Sequence, residues 1–240
     1  MKAIIFSAGL GTRLKEETFN KPKALVEIGG KPLLQHIIEK LKGEGITEFV
    51  VNVHHFPELI IKFLKTHNFG VNIQVSDERE KLLETGGALK KAAALLEGDV
   101  NPLLMYNVDV MSNIDISSLL LEHLHSGALA TLVVRNRETR RYFRFDKEKR
   151  LVGWINRGTG ERIISIPEYF DIATEMAFSG IHIANPEIFR LMPKEERFSM
   201  TDLYLSLAKE YLIKGFFDNS PFWLDVGNPE ALKEARKLFM

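Results

Sequence analysis

The chain has 240 residues, no cysteine, and 32 lysines and arginines against 32 aspartates and glutamates. This neutral balance gives no general attraction to nucleic acid or to an anionic membrane, so any anion site must be built locally. The absence of cysteine excludes disulfides and thiolate chemistry, and with no stretch laid out as a signal peptide or a membrane span we expect a cytoplasmic globular protein.

The first predicted element is a short buried strand that leads into a glycine-bearing loop. Residues 3–6 are apolar without alternation, which is typical of a parallel strand covered on both faces. The small residues of SAGLGT (7–12) allow a sharp turn whose N–H groups face an anion. The loop lacks the third glycine of the dinucleotide fingerprint and the lysine of the P-loop. Arg13 and Lys23 add two cations, a combination that suits a triphosphate.

Strands and helices alternate along the first half of the chain, which predicts a doubly wound, mostly parallel sheet. The predicted strands are 46–53, 71–75, 102–110 and 128–136, and the predicted helices are 31–45, 57–67, 88–98 and 115–127. The helix at 31–45 carries one apolar face and is closed by Gly43 and Gly45.

The pattern changes in the second half. Residues 142–162 alternate apolar and polar side chains around turn signals, which predicts a hairpin or small mixed lobe. A buried strand follows at 176–185, an amphipathic helix at 200–215, and a last helix at 228–239 with Asn228 as N-cap. The fold expected is therefore α/β and Rossmann-like, with a small mixed hairpin lobe.

Several stretches together resemble the sugar-1-phosphate nucleotidyltransferases. AGLGTRL followed by KPKAL is similar to the family signature G-x-G-T-R-L…P-K, and LLETGGALKKA, NVDV, FSGIHIANPEIF and WLDVGNPEAL follow in the family's order. The sequences of these motifs are most similar to those of the N-acetylmuramate-1-phosphate uridylyltransferase and mannose-1-phosphate guanylyltransferase branches. The resemblance covers essentially the whole chain and implies one domain, 1–240, with a nucleotide-binding part (1–135) and a part with the sugar site and C-terminal helices (136–240).

The resemblance also implies the reaction. A sugar 1-phosphate attacks the α-phosphorus of a nucleoside triphosphate, pyrophosphate leaves, and a nucleotide sugar forms with Mg²⁺ as cofactor. Because the nucleophile is already anionic, no general base is required, and the protein mainly positions and neutralises. The expected partners are the triphosphate and the sugar phosphate, without nucleic acid or membrane, and a homo-oligomer is left open.

The resemblance assigns roles at the matching positions. Arg13 holds the β- and γ-phosphates, Lys23 binds the α-phosphate or the incoming phosphate, and Asp109, the third catalytic residue, binds the metal together with Asp225. The nucleotide-binding residues are Ala8, Gly9, Gly11, Thr12, Gly86 and Gly87, and the sugar-binding residues are Asn107, Gly180 and Glu161. The residues themselves support the two aspartates, because one ends a buried strand and the other lies in an apolar setting.

Some of these positions have structural alternatives. Lys21 is near enough in sequence to share or take the role of Lys23. The glycine pair at 86–87 is equally a plain helix start with Thr85 as cap. Gly180 fits a β-bulge as well as a sugar site, and Asn107 is also a common turn residue.

The chain departs from the family at two points. Val108 stands where many relatives have glycine, and the Glu-Lys-Pro signature of the sugar side is missing from the central hairpin. Asp77 and Glu78 are candidate hydrogen-bond acceptors for the base edge. The resemblance of the stretch SDEREKLLETGGALKK (76–91) to the uridylyltransferase branch favours UTP over GTP. The alternatives are a GTP-dependent mannose-1-phosphate guanylyltransferase, a cytidylyltransferase for a non-sugar phosphate, and a non-catalytic regulatory subunit.

Overall fold

The architecture is that of a computed structural model, which describes residues 1–96, 98 and 101–239. The strands are β1 (Ala3–Phe6), β2 (Glu27–Ile28), β3 (Lys31–Pro32), β4 (Glu48–Val53), β5 (Asn72–Asp77), β6 (Leu103–Asn107), β7 (Val110–Ser112), β8 (Ala130–Arg135), β9 (Arg141–Phe145), β10 (Leu151–Asn156), β11 (Arg162–Ile164), β12 (Thr174–Ala184), β13 (Ile213–Phe217) and β14 (Trp223–Asp225). The α-helices are α1 (Leu33–Gly43), α2 (Pro57–Thr66), α3 (Glu84–Lys91), α4 (Ala93–Leu96), α5 (Ile116–Ser126), α6 (Pro167–Phe170), α7 (Met200–Leu207) and α8 (Pro229–Leu238). Short 3-10 helices span Thr12–Thr18, Lys23–Leu25 and Pro186–Leu191.

The central sheet has the strand order β5-β4-β1-β6-β12-β8-β13. β12 is antiparallel to both of its neighbours, and the other six strands point in one direction. Parallel strands need crossover helices on the sheet faces, and the alternation of elements supplies them. The predicted mostly parallel α/β sheet is confirmed.

The predicted hairpin lobe is an antiparallel extension of this sheet. β9, β10 and β11 pair in sequence, and β9 joins the first residues of β12 through the pair Met176 and Phe143. β12 is therefore shared by the sheet and the lobe. Its pairing with β8 shifts register between Phe178 and His182, around Gly180.

Two apolar clusters cover the two faces of the sheet. Neighbouring residues of β1 point to opposite sides, so that Ile5 joins one cluster and Ile4 the other. The first cluster includes the predicted apolar face of α1, which is fully buried, with contributions from α5 and α8; the α1 residues are Leu33, Leu34, Ile37, Ile38 and Leu41. The second is built by α3, α7 and the lobe.

Three predicted elements differ from the structure by three or more residues at one end. The strand predicted over 102–110 ends at Asn107, and residues 108 and 109 form a turn before β7. The helix predicted over 88–98 begins earlier, at Glu84, and breaks at Ala92; residue 97 lies outside the described residues. The helix predicted over 200–215 ends at Leu207, because the buried Ile213 pairs with Ala130 as the start of β13.

Two of the predicted helix ends have the residues that the capping rules favour. Asn228 caps α8 as predicted, with its side-chain oxygen accepting the N–H of Ala231 at 2.9 Å. Gly45 closes α1 with φ +84°, a conformation that glycine adopts without strain. None of the helices in the described part of the chain is both long and apolar enough to cross a bilayer.

Candidate active site

A cavity of about 320 Å³ opens at the carboxyl ends of β1 and β6, the edge at which open α/β sheets place their ligands. It is lined by Phe6, Ser7, Ala8, Gly9, Lys23, Asn52, Leu82, Glu84, Thr85, Asn107, Val108 and Asp109. Five of the predicted site residues are in this set: Ala8, Gly9, Lys23, Asn107 and Asp109. The predicted Gly11 and Thr12 follow in the same loop but do not line the cavity. Lys21, the alternative to Lys23, does not line it either.

Two glycines shape the loop: Gly11 has a left-handed backbone conformation, and Gly9 has no neighbouring atoms on its open side. Gly11 has φ +67°, and a Cβ there would lie 2.8 Å from the side chain of Thr18. Its carbonyl accepts the N–H of Leu14 at 2.9 Å, which starts the 3-10 helix, and the burial of Leu14 anchors that helix in the core. A Cβ at Gly9 would meet no atom within 4 Å, so this side of the loop is open to a ligand.

Four charged side chains from distant parts of the sequence meet beside the loop. Lys23 forms an ion pair with Asp109, and the two side chains are only 10% and 18% exposed. Nη2 of Arg13 lies 4.0 Å from Oδ2 of Asp225. The N–H of Val226 donates to the carbonyl of Asp109 at 2.9 Å, which joins the end of β14 to the turn after β6.

The electrostatics of the two aspartates suit a cation. Burial raises the pKa of Asp225, and the negative charge of Asp109 raises that pKa further. Oδ1 of Asp225 accepts the N–H of Gly227 at 2.8 Å, which fixes the carboxylate. The part of the chain that the structure describes holds no cluster of three or more histidine or carboxylate ligands. Two carboxylates fit Mg²⁺, because Mg²⁺ takes most of its remaining oxygens from water and phosphate.

Gly227 belongs to this cluster and was missed in the sequence. A Cβ at this position would collide with the guanidinium of Arg13, would lie 2.6 Å from Oδ1 of Asp225, and would lie 3.0 Å from Nζ of Lys23. A side chain at position 227 would therefore displace these charged groups from the positions at which they meet. The motif WLDVGNPEAL contained the residue, but only the positions of its neighbours show why it must be glycine.

A chain of hydrogen bonds supports the cavity from behind, across three adjacent strands. The N–H of Ser7 donates to the side-chain oxygen of Asn52 at 2.7 Å, and the Asn52 amide donates to Oε1 of Glu78 at 2.9 Å. Glu78 is 0% exposed, and burial raises the pKa of its carboxyl. Asp77 is bound to Arg79 instead. Neither acidic residue lines the cavity. Because Glu78 is buried and already accepts from Asn52, the prediction that it accepts from the base edge is wrong, whereas the same role for Asp77 stays a prediction.

The glycine pair at 86–87 accommodates another segment of the chain. Both N–H groups donate to the carbonyl of Phe198, at 3.0 and 3.1 Å, and a Cβ on either glycine would collide with residues 196–198. Thr85 is not the helix cap; its hydroxyl accepts the N–H of Met200 at 3.0 Å. The contact of Gly86 and Gly87 with the nucleobase stays a prediction.

A second cavity, of about 480 Å³, lies between the lobe and α7 and shares Glu84 with the first. Its lining residues are Glu84, Arg137, Thr139, Arg141, Phe143, Trp154, Glu161, Ile163, Phe178, Ser199, Thr201 and Asp202. The predicted sugar residue Glu161 is in this set, whereas Asn107 lines the first cavity. Gly180 lines neither cavity. It is the left-handed residue of the β12 bulge, with φ +75°, packed against Asn107 and Val110, which confirms the bulge interpretation.

Curated relatives match nearly the whole chain. The chain is 32% identical over 240 residues to an N-acetylmuramate alpha-1-phosphate uridylyltransferase from Caulobacter vibrioides, covering 95% of this chain and 93% of the relative. It is 31% identical over 246 residues to a mannose-1-phosphate guanyltransferase from Gibberella zeae, and it spans 64% of that relative's length. The chain spans 65% of the corresponding protein from Saccharomyces cerevisiae, also at 31% identity.

The fold is shared with solved structures. HddC from Yersinia pseudotuberculosis complexed with GMP-PN superposes with a TM-score of 0.79 at 22% identity, over 100% of this chain and 99% of that one. This likeness shows the nucleotide-diphospho-sugar transferase fold, which is consistent with the predicted α/β sheet and hairpin lobe. The family model for nucleotidyl transferases matches residues 2–239. The chain therefore belongs to the nucleotidyl transferase family.

Proposed function

We propose that the protein is a Mg²⁺-dependent sugar-1-phosphate nucleotidyltransferase that releases pyrophosphate and forms a nucleotide sugar. The observation that carries the proposal is the convergence of Arg13, Lys23, Asp109 and Asp225 beside the open glycine loop. A triphosphate needs cations and N–H donors, and a magnesium ion on it needs carboxylates. A non-catalytic relative has no need to keep both carboxylates.

The glycine loop and the cations beside the first cavity have distinct roles in this reaction. The loop at residues 8–11 accommodates the nucleotide with its backbone. Lys23, held by Asp109 at the cavity wall, neutralises the α-phosphate as the new bond forms. Arg13 is largely exposed in the structure, so it is free to meet the β- and γ-phosphates and to stabilise the leaving pyrophosphate.

Asp109 and Asp225 are the groups that would hold Mg²⁺. The metal, when bound, neutralises phosphate charge and aligns the reacting oxygens. The raised pKa of Asp225 supports this assignment, since a cation between the two carboxylates relieves their repulsion.

For the substrates we propose UTP and N-acetylmuramate 1-phosphate. The sequence of LLETGGALKK supports this choice, and so does the Caulobacter relative, which matches over nearly its full length. GTP with mannose 1-phosphate is supported equally by the fungal relatives. Glu84, the acidic residue of this stretch, lines both cavities, where a base or sugar hydroxyl would meet it in the proposed complex.

A thermal-shift experiment separates an enzyme from a scaffold. The four nucleoside triphosphates are each added with and without Mg²⁺. Binding to the native state raises the melting temperature, and we expect at least one triphosphate to do so more strongly with the metal. No response to any nucleotide would favour the non-catalytic subunit.

An activity panel then identifies the substrate pair. Pyrophosphate release is measured for each triphosphate against hexose and amino-sugar 1-phosphates and against phosphocholine. We expect UTP with an amino-sugar 1-phosphate to give the highest kcat/KM. If GTP with mannose 1-phosphate exceeds it by more than about tenfold, about 1.4 kcal/mol of discrimination, the guanylyl alternative replaces it.

A further inference from the structure

We propose that Arg137 binds the phosphate group of the sugar 1-phosphate acceptor, an inference that rests on the function proposed above. Arg137 follows β8 and lines the second cavity beside Thr139 and Phe178. No family motif quoted above includes this residue. The Glu-Lys-Pro signature of the sugar side is missing from the central hairpin, and no other motif quoted above places a cation at the second cavity.

The guanidinium of Arg137 is held rigidly by neutral groups. Its Nη2 donates to the carbonyl of Phe178 at 2.9 Å, and Nη1 makes a longer contact of 3.4 Å with the carbonyl of Glu138. The guanidinium carbon lies 4.4 Å from the ring centroid of Trp223. The Trp223 ring is itself fixed, because its N–H donates to the carbonyl of Ser179 at 3.0 Å.

The positive charge of Arg137 has no carboxylate partner at contact distance within the described residues. Its Nε is buried and makes no hydrogen bond there. Arg135, two positions earlier, is paired with Asp218, and Arg144 is paired with Glu175. A half-buried guanidinium without a counterion is costly, and burial lowers the pKa of Arg137 accordingly. An anionic ligand would remove that cost.

The position of Arg137 fits the phosphate of the acceptor rather than a distant part of the sugar. β14 carries both Trp223, which Arg137 covers, and Asp225, whose negative charge acts on Arg137. Arg137 therefore connects the second cavity to β14, the strand that ends at the carboxylate of Asp225. An acceptor whose sugar occupies that cavity has to direct its phosphate to this end of β14 to reach the α-phosphorus. There the arginine offsets the repulsion between the phosphate and the carboxylates, and its planar fork suits phosphate oxygens.

The test is a comparison of kinetic constants in Arg137→Gln, Arg137→Lys and Arg140→Gln. Arg140 is an exposed arginine of the same connection that lines neither cavity, so its variant is the matched control. KM for the acceptor and KM for the triphosphate are measured separately by pyrophosphate release, with the best substrate pair of the wild type. Thermal unfolding of each variant reports any loss of the contact with Trp223.

We expect Arg137→Gln to raise the acceptor KM by about tenfold or more, as for the loss of a charge-assisted hydrogen bond, with the triphosphate KM within about twofold of the wild type. Arg137→Lys keeps the charge without the planar fork, and its acceptor KM is expected to lie between those of the wild type and Arg137→Gln. If Arg137→Gln does not fold, Arg137→Lys still decides, because an acceptor KM at the wild-type value would overturn the proposal. An equal rise in both KM values would overturn it as well. A wild-type protein that releases no pyrophosphate with any acceptor would remove the proposed function, and the role of Arg137 with it.

Discussion

Arg13, Lys23, Asp109 and Asp225 come from distant parts of the chain and meet at one edge of the sheet. Each was predictable, because each stands in a short motif whose neighbours limit its role. Gly227 and Arg137 were not, since the need for them depends on atoms brought by other elements: the former makes room for three charged groups, and the latter faces a ring of β14. Contacts between residues that are distant in sequence cannot be read from short motifs, and they become visible only in the folded structure.

Arg13→Ala is expected to reduce kcat by about 10²-fold or more while the fold stays intact. The reason is that its charge meets the leaving pyrophosphate, where the loss of one stabilising contact has an effect of this size. Steady-state pyrophosphate release, with circular dichroism as the check on folding, measures it. Arg140→Ala, an exposed arginine outside both cavities, is the control. Activity near the wild-type value in Arg13→Ala would remove this residue from the site.

Asp109→Asn and Asp225→Asn are each expected to raise the Mg²⁺ concentration needed for half-maximal activity by about tenfold or more, a range that even outer partners of a metal reach. The first variant is expected to be the worse one, because Asp109 also holds Lys23. Magnesium titrations of the activity measure this, with the exposed Asp171→Asn as control. An unchanged metal response in either variant would mean that the residue is not a ligand.

Glu78→Gln is expected to stabilise the protein at neutral pH but not near pH 4. Burial holds the pKa of Glu78 above its usual value near 4.5, so folding takes up a proton in the window between the unfolded and folded pKa values. The contribution of Glu78 to stability is therefore greatest below that window and falls as the pH rises through the folded pKa. Glutamine keeps an oxygen for the bond from Asn52 and carries no charge to bury. Urea unfolding of both proteins from pH 4 to 8 measures the difference, and a difference that does not change with pH would contradict this account.

At the scale of elements, strands and helices with strong periodicity were predictable, and the ends of elements were less so. The five apolar residues of α1 predicted its buried face, and Asn228 predicted the start of α8. The helix predicted over 200–215 was too long because the apolar residues of this region suit a helix throughout. In the structure, the pairing of Ile213 with β8 makes the last part of the region a strand. Such pairing involves a strand more than eighty positions away and leaves no local trace.

Gly87→Ala is expected to destabilise the protein by about 1–3 kcal/mol, the usual cost of forcing an atom into a packed site. A Cβ there would collide with the backbone carbonyl of Glu196, which cannot rotate away as a side chain can. Gly43→Ala is the matched control, since it is the last residue of α1 and its Cβ would meet nothing within 4 Å. This control is expected to be neutral or to add up to about 1 kcal/mol of stability. Equal urea midpoints for the two variants would show that the 196–198 segment does not need the glycine.

At the scale of the whole molecule, the order of motifs predicted both the fold and the place of the site. Parallel strands bring their carboxyl ends to one edge, so Ser7, Asn52 and Asn107 are neighbours although they are far apart in sequence. The sequence patterns did not predict that the sheet and the lobe share β12. They therefore did not predict that the second cavity lies beside the first. They predicted a lobe but not the strand that it pairs with.

The central claim is that the two cavities bring a nucleoside triphosphate and a sugar 1-phosphate together for nucleotidyl transfer. The most direct measurement is the quantification of pyrophosphate and nucleotide sugar in the same Mg²⁺-containing reaction, using mass spectrometry for the sugar product. The account predicts that the two products appear in equal amounts, only when both substrates are present, and that both fall sharply in Asp109→Asn. Release of phosphate or pyrophosphate from the triphosphate alone, at a rate that the sugar phosphate does not change, would contradict it.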